Sequence, residues 1–198
     1  MPVIRLVVVD DHIPTREAAI QELQIEGVIE IVGEAETSDE AYKVAAQLLP
    51  DLVLLDLHMP GLLSTPDLIK KLVTLKNVKV VIYASESKAS QVQDFFDAGA
   101  CAYVVKTDAW PLIRMAIVMV SKGSRSVISP SLPKNLTKLT LPERNILHEV
   151  TKRGGASKAA ERMGISEYDL HHMLEHLAEK LELDSPDKLL KWAKKHGF

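Results

Sequence analysis

Short apolar runs alternate with amphipathic segments along the first 122 residues of the chain. Runs of this length, apolar throughout and bounded by turn residues, predict strands that are buried on both faces. Five of them are present, at about Ile4–Val9, Glu30–Gly33, Leu52–Leu55, Val78–Tyr83 and Ala102–Val105. The segments between them have helical spacing, with Pro14 and the N-cap Ser38 marking helix starts and Gly99 marking a helix end. Five strand–helix units with short connections predict a doubly wound parallel sheet.

The pattern changes at Gly123. Residues 123–138 contain serines and two prolines but no helical stripe, which predicts a linker. Helical spacing returns at Leu139, and four helices are predicted, starting near Thr140, Ala156, Ser166 and Ser185. The third carries an apolar stripe of Leu170, Met173, Leu174, Leu177 and Leu181. A turn containing Gly164 between the second and third helices is typical of the helix-turn-helix motif.

Charged residues stand at the ends of three predicted strands. Asp10 and Asp11 follow the first strand, Asp56 follows the third, and Lys106 follows the fifth. An acid in such a position often only caps a loop, but the carboxyl ends of parallel strands share one edge of the sheet. We therefore expect these groups to converge on one crevice. Clustered carboxylates suit Mg²⁺, and a lysine suits a phosphate, so the set favours phosphoryl transfer with one carboxylate as acceptor.

These residues resemble the receiver domain of two-component response regulators. The resemblance rests on Asp10-Asp11, on the segment from Asp56 to Gly61, and on Ala98-Gly99-Ala100 leading to Tyr103 and Lys106. Two further segments resemble the NarL/FixJ subfamily, namely Val32-Gly33-Glu34-Ala35 and Ile128-Ser129-Pro130.

The resemblance implies that a sensor histidine kinase phosphorylates Asp56. It also implies a Mg²⁺ site formed by the carboxylates of Asp11 and Asp56 and by the backbone carbonyl of His58. Asp10 would support the metal through water, and Lys106 would contact the phosphoryl group. No independent catalytic activity is expected.

The last 60 residues resemble the LuxR-type DNA-binding domain. The matching residues are Leu139-Thr140, Glu143-Arg144, Ser157-Lys158, Ala160, Gly164-Ile165-Ser166, Lys180-Leu181 and Trp192-Ala193 before His196-Gly197. The resemblance implies a transcriptional regulator that contacts promoter DNA through the third helix. The candidate DNA contacts are Lys158, His171, His172, Glu175, His176 and Lys180.

One departure from the family pattern lies in the receiver part. Related domains carry Ser or Thr at the position of Ala84, where the hydroxyl bonds a phosphoryl oxygen while the aromatic residue at the Tyr103 position swings inward. Alanine has no hydroxyl. Either the adjacent Ser85 substitutes for it, or phosphorylation is weakly coupled to the output. Ala84, Ser85 and Tyr103 are therefore the candidate switch residues.

A second departure lies in the predicted recognition helix. It contains four acids, Glu167, Asp169, Glu175 and Glu179, but only one base, Lys180. Recognition helices usually present bases to phosphates, because neutralised phosphates supply much of the affinity. This composition leaves open an alternative function, in which a degenerate helix-turn-helix acts through protein–protein interaction rather than sequence-specific DNA binding.

The same helix spells H-x-x-E-H from His172 to His176, a pattern of some zinc peptidases, although no third ligand is evident and a solvated polar face is the default interpretation. The formal net charge of −3 gives no support for DNA binding through overall charge. The single cysteine, Cys101, fits a reducing compartment. Neither a signal peptide nor a membrane span is evident, so a cytoplasmic location is expected.

Together, the patterns predict an α/β plus all-α protein. A five-stranded, flavodoxin-like receiver domain occupies residues 1–122, a linker residues 123–138, and a four-helix LuxR-type helix-turn-helix domain residues 139–198. We predict a Mg²⁺-dependent response regulator that is phosphorylated on Asp56 and binds DNA. Its expected partners are a sensor histidine kinase and promoter DNA, without a membrane, and homodimer formation is left open.

Overall fold

The computed structural model describes residues 2–85, 89–132, 139–152 and 155–198. The chain divides into two compact units, the first built on a β-sheet and the second on helices. Of the helices in the described ranges, none is long and apolar enough to cross a membrane.

The first unit alternates strands with helices. Its strands are β1 (Ile4–Val9), β2 (Ile29–Ala35), β3 (Leu52–Leu55), β4 (Lys79–Ala84), β5 (Ala102–Val105) and β6 (Val127–Ile128). Its helices are α1 (Ile13–Leu23), α2 (Ser38–Leu48), α3 (Thr65–Leu72), α5 (Trp110–Ser121) and the part of α4 (Ala89–Ala98) that starts at Asp94.

The strands form one parallel sheet in the order β2-β1-β3-β4-β5-β6. The first five positions follow the flavodoxin-like order, so the predicted fold class is confirmed. The predicted strand number is corrected from five to six, because β6 lies inside the predicted linker, 123–138. Val127 and Ile128 pair with Ala102 and Tyr103 of β5. A strand of two residues is too short to produce a hydrophobic period, so the sequence pattern did not indicate it.

The central strands are buried on both faces. All four residues of β3 and of β5 are buried, as the continuous apolar runs predict. One face of β1 packs with Ala19 and Leu23 of α1 and with Ile113 and Ile117 of α5. On the other face α2 approaches β2 at Gly33, where an added Cβ would lie 2.8 Å from the Leu48 side chain.

Helix α2 begins one residue earlier than the sequence suggests. Its N-cap is Thr37, whose hydroxyl accepts the Glu40 N–H at 3.2 Å, and not Ser38. Ser38 is 1% exposed, and its hydroxyl accepts the Leu63 N–H at 3.2 Å, which joins α2 to the loop after β3. The serine thus serves a tertiary contact that local sequence cannot show.

The second unit contains α6 (Leu141–Thr151), α7 (Gly155–Met163), α8 (Glu167–Lys180) and α9 (Pro186–Lys195). Its core is formed by buried aliphatic residues, including Leu147, Leu170, Leu174, Leu177 and Leu189. Met173 was expected in the buried stripe of α8 but is 40% exposed. The turn between α7 and α8 passes through Gly164 at φ +68°, a conformation that favours glycine. The predicted helix-turn-helix arrangement is therefore present.

Candidate functional site

Three carboxylates lie together at the carboxyl edge of the sheet. Asp10 follows β1 and Asp56 follows β3, and the parallel register that pairs Val9 with Leu55 places both strand ends side by side. Carboxylate oxygens of Asp10, Asp11 and Asp56 lie within 4.8 Å of one another. Asp10 and Asp56 are buried, whereas Asp11 is exposed. Such a cluster requires a counter-charge, because desolvation and mutual repulsion both oppose ionisation.

Lys106 supplies part of that counter-charge. Its Nζ lies 2.6 Å from Asp10 Oδ2 and 3.0 Å from Asp56 Oδ1. It also lies 5.4 Å from the centre of the Tyr83 ring. Burial, together with the negative charges of Asp10 and Asp56, raises the pKa of Tyr83 to about 12. The phenol is therefore neutral, and one lysine faces two buried carboxylates and a third at the surface.

Asp56 Oδ1 can still accept a hydrogen bond or bind a metal ion. Among the described residues no group makes a well-aligned hydrogen bond to this buried atom, although it forms an ion pair with Lys106. The other oxygen, Oδ2, accepts a long contact of 3.4 Å from the His58 N–H. An orphaned buried oxygen in a set of three carboxylates fits a hard divalent cation such as Mg²⁺, which prefers oxygen ligands and keeps several waters.

A buried arginine holds the loop that carries the first two acids. Arg16 of α1 is 5% exposed and donates to the backbone carbonyl of Asp10 at 2.6 Å. It also donates to Glu34 at 2.7 Å and to Glu36 at 2.6 Å. Burial opposes its charge, but the hydrogen bonds that it donates to these two carboxylates raise the pKa of Arg16.

Sequence reasoning missed this support. The available signal was a charged residue within the first turn of a helix that directly follows the acid pair. The glutamates lie 18 and 20 residues away along the chain, so only the fold brings them to the arginine.

The candidate switch residues lie at the ends of β4 and β5. Ala84 is fully buried as the last residue of β4, and its carbonyl accepts the Lys106 N–H at 2.7 Å. Ser85 follows it and is exposed. Tyr103 is 1% exposed, with its ring stacked on Phe95 of α4 at a centroid distance of 6.2 Å. The tyrosine is thus directed inward.

The predicted DNA contacts on α8 form a polar, exposed surface. Glu175 lies 3.4 Å from His171 Nε2 and 3.2 Å from His172 Nδ1. The His172 ring also meets the exposed Tyr168 edge-to-face at 4.6 Å. His176 is exposed as well. In the described part of the chain, the grouping of three potential metal ligands is the aspartate cluster and not the H-x-x-E-H residues, so the zinc interpretation gains no support.

The two predicted lysine contacts behave differently. Lys158 on α7 is exposed. Lys180 instead lies 2.6 and 2.8 Å from the two carboxylate oxygens of Glu143 at the start of α6. The one base of α8 is therefore neutralised inside the second unit, and the structure does not group it with the histidines.

Comparison with known proteins agrees with this geometry. Residues 6–117 match the family model described as the response regulator receiver domain. The transcriptional regulatory protein LiaR of Bacillus subtilis is 32% identical over 76% of this chain and 72% of its own length. The nitrate/nitrite response regulator protein NarL of Escherichia coli is 26% identical over 94% of this chain and 93% of its own. A LuxR-family response regulator structure from Aurantimonas is 25% identical, covers 69% of this chain and 96% of its own, and superposes with a TM-score of 0.63.

The chain therefore belongs to the two-component response regulators of the NarL/FixJ type. The resemblance drawn from the acid pair, the Asp56 segment and Lys106 is confirmed at this level, as is the expectation of a response regulator related to transcriptional regulators. The acidic cluster at the sheet edge is the feature that receiver domains share. The roles of its individual residues are taken up below.

Proposed function

We propose that this cytoplasmic protein accepts a phosphoryl group on Asp56 from a sensor histidine kinase and then regulates transcription by binding promoter DNA through its second unit. The observation that supports the first step is the state of Asp56 Oδ1. This oxygen is buried, lies 3.0 Å from the Lys106 ammonium, and makes no well-aligned hydrogen bond with the described residues. It is the nucleophile of the proposal, and the protein has no catalytic activity beyond accepting the group.

Each neighbour of Asp56 has a distinct proposed role. The carboxylates of Asp11 and Asp56 and the backbone carbonyl of His58 would hold Mg²⁺, while Asp10 would act through water. Bound there, Mg²⁺ supplies positive charge that offsets the phosphoryl oxygens. Lys106 attracts the incoming phosphoryl group and balances Asp10. Arg16 keeps the Asp10 carbonyl in place through its 2.6 Å hydrogen bond.

Chemical phosphorylation tests the assignment. The full chain is incubated with acetyl phosphate and Mg²⁺ and examined by intact-mass spectrometry. We expect one phosphoryl adduct, which requires Mg²⁺ and disappears in Asp56→Asn. Asp51→Asn is the matched control, because this exposed acid precedes β3 and lies outside the cluster. An adduct that persists in Asp56→Asn and disappears in another variant would show that the acceptor is a different residue.

DNA binding is the proposed output because α7, the Gly164 turn and α8 form a helix-turn-helix unit and because relatives such as LiaR are transcriptional regulatory proteins. The test is fluorescence anisotropy of labelled duplex DNA with the phosphorylated full chain at low salt. We expect saturable binding that weakens as salt is added.

A second candidate function is supported by one specific observation. Four acids line α8, and its only base is held by Glu143. A surface of this composition favours docking to another protein over sequence-specific DNA binding. If the phosphorylated chain binds no duplex at any salt concentration, this second candidate becomes the better proposal.

A further inference from the structure

Among the described helices of the second unit, α9 carries the most basic surface. Within ten residues it has four lysines, Lys188, Lys191, Lys194 and Lys195, and a single acid, Asp187. All four lysines are exposed. Their spacing places them on one stripe about 10 Å long at a rise of 1.5 Å per residue. Leu189 and Ala193 lie opposite, both 0% exposed, so core packing fixes which face of the helix the lysines occupy.

Most of this charge is not neutralised by the residues that the structure describes. Lys188 contacts Asp184, one turn before it. For Lys191, Lys194 and Lys195, the ranges that the structure describes contain no ion-pair partner. Next to them, burial and the charge of Lys195 lower the pKa of His196, so this imidazole is neutral at pH 7. Three adjacent ammonium groups are therefore available to an external anion.

Three other bases of this unit are engaged, whereas Lys158 of α7 is exposed and has no ion-pair partner among the described residues. Glu149 accepts Arg162 at 2.7 Å and also contacts Lys152. Glu143 holds Lys180. Helix α8, which packs against α9, exposes acids and histidines. The two helices thus present surfaces of opposite charge.

We propose that α9 is a phosphate-binding surface of this protein, and that Lys191, Lys194 and Lys195 grip the DNA backbone while α8 contributes little electrostatic affinity. The proposal rests on the proposed DNA-binding function. Duplex DNA fits the charge and the extent of the stripe, because it presents a dense row of phosphates whose neutralisation releases counterions. Contacts of this kind position a protein on DNA without reading bases. The bound protein would therefore discriminate weakly among sequences.

A structural role for the lysines makes a different prediction. Lys194 and Lys195 lie in the last turn of α9, where cations interact favourably with the helix dipole. If that were their whole role, replacing them would lower the melting temperature slightly and leave DNA affinity unchanged. Affinity and stability therefore need to be measured on the same variants.

The decisive experiment compares variants of the full-length chain by fluorescence anisotropy with two unrelated duplexes over a range of salt concentrations. The test variant is Lys191→Gln/Lys194→Gln/Lys195→Gln. We expect its affinity to fall by more than about tenfold for both duplexes, and the log–log salt slope to decrease by about 2 to 3, at roughly 0.9 per lost phosphate contact. Thermal melting checks that the variant remains folded.

Two matched controls locate the effect. Lys188→Gln lies on the same stripe but already has Asp184 as a partner, so we expect less than about a twofold change. Lys43→Gln removes an exposed charge from α2 of the first unit and should leave affinity unchanged, whereas His171→Gln/His172→Gln is the α8 variant that measures how much this helix contributes. If the α8 variant loses binding and the triple lysine variant does not, the assignment to α9 is wrong.

A separate outcome tests the underlying function. If the wild-type chain binds neither duplex even at low salt, the DNA-binding function itself fails, and the α9 assignment fails with it. If it binds vesicles rich in anionic lipid through the same lysines but binds no DNA, the stripe recognises phosphate on a different partner and the DNA proposal is overturned. Loss of binding in the triple variant alone, with both controls intact, supports the proposal.

Discussion

Lys180 Nζ lies 2.6 and 2.8 Å from the two carboxylate oxygens of Glu143, joining the last residue of α8 to the first turn of α6. The same carboxylate accepts the backbone N–H of Thr140 at 2.7 Å. One glutamate therefore caps a helix start and holds an ion pair between helices. Lys180, the single base of the predicted recognition helix, therefore stabilises the unit instead of adding positive charge to its surface.

We expect Glu143→Gln to destabilise the second unit by about 1 kcal/mol. The Glu143 and Lys180 side chains are 22% and 28% exposed, so solvent screens the pair and its contribution lies near the upper end for surface ion pairs. Urea unfolding followed by Trp192 fluorescence in a Trp110→Phe background measures the change. The control is Glu161→Gln, which removes an exposed acid from α7 and should be nearly neutral.

The pH dependence of the same pair has a definite sign. Burial opposes ionisation, but the hydrogen bonds from Lys180 and Thr140 outweigh it and lower the pKa of Glu143. The contribution of the ion pair to stability is therefore complete above the pKa of Glu143 in the unfolded chain, about 4.3. It is lost as pH falls through the lower pKa of Glu143 in the folded state. Wild type should lose stability across this acidic window more steeply than Glu143→Gln. Equal slopes would contradict the assignment.

The sequence predicted the acidic site well because the site is built from strand ends. Asp10, Asp56 and Lys106 each follow an apolar run, which places each of them at the end of a strand. Parallel strand order alone then brings the three side chains to the same edge of the sheet. The partner of Lys180 could not be predicted in this way. Glu143 lies 37 residues earlier in the chain, and only helix packing determines that they meet.

A segment inside the predicted linker, 123–138, illustrates a second limit. Ile128-Ser129-Pro130 matched a family segment, but two apolar residues have no period that distinguishes a strand from a loop. The structure supplies the reason for the strand. Asp108 is 9% exposed and accepts the hydroxyls of Ser129 and Ser131 at 2.8 Å each, which fixes the chain beside β5.

Asp108→Ala should therefore loosen β6. The change removes the acceptor of two hydroxyls and of the Val105 N–H at 3.0 Å, so we expect a loss of about 1–3 kcal/mol. Hydrogen exchange should rise most in residues 124–132. Ser131→Ala removes only one of the three donors and serves as the graded control. Unchanged exchange in Asp108→Ala would show that strand pairing alone holds the segment.

Replacing Lys106, the cation among the three carboxylates, should make the stability of the fold depend on Mg²⁺. In Lys106→Gln the carboxylates of Asp10, Asp11 and Asp56 lose the ammonium and repel one another. We expect a lower melting temperature without divalent cation and a larger rise on adding Mg²⁺ than in wild type, since a ligand stabilises the state that binds it. Differential scanning fluorimetry with and without chelator measures both. Lys43→Gln, which changes an exposed residue, is the control, and an equal Mg²⁺ response in all three proteins would contradict the proposed coupling between Lys106 and the metal.

Ala84 provides the last prediction, because a buried methyl group stands where the resemblance to receiver domains implies a hydroxyl. We expect wild type to dimerise only weakly on treatment with beryllofluoride and Mg²⁺. Ala84→Thr should strengthen this response by at least about tenfold in dimer affinity, since a hydrogen bond to a charged group contributes about 1.5–3 kcal/mol. Sedimentation velocity at several protein concentrations gives the affinity.

The control for this experiment separates the effect of the added hydroxyl from the effect of the larger side chain. Ala84 is 0% exposed, so any larger side chain there costs about 1–3 kcal/mol in strained packing. Ala84→Val has the shape of threonine without the hydroxyl and should lose the same stability while gaining no response. Tyr103 is already directed inward, at 1% exposure, so the gain should not require further burial of this ring. A large response in wild type that Ala84→Thr leaves unchanged would show that the missing hydroxyl does not limit the signal.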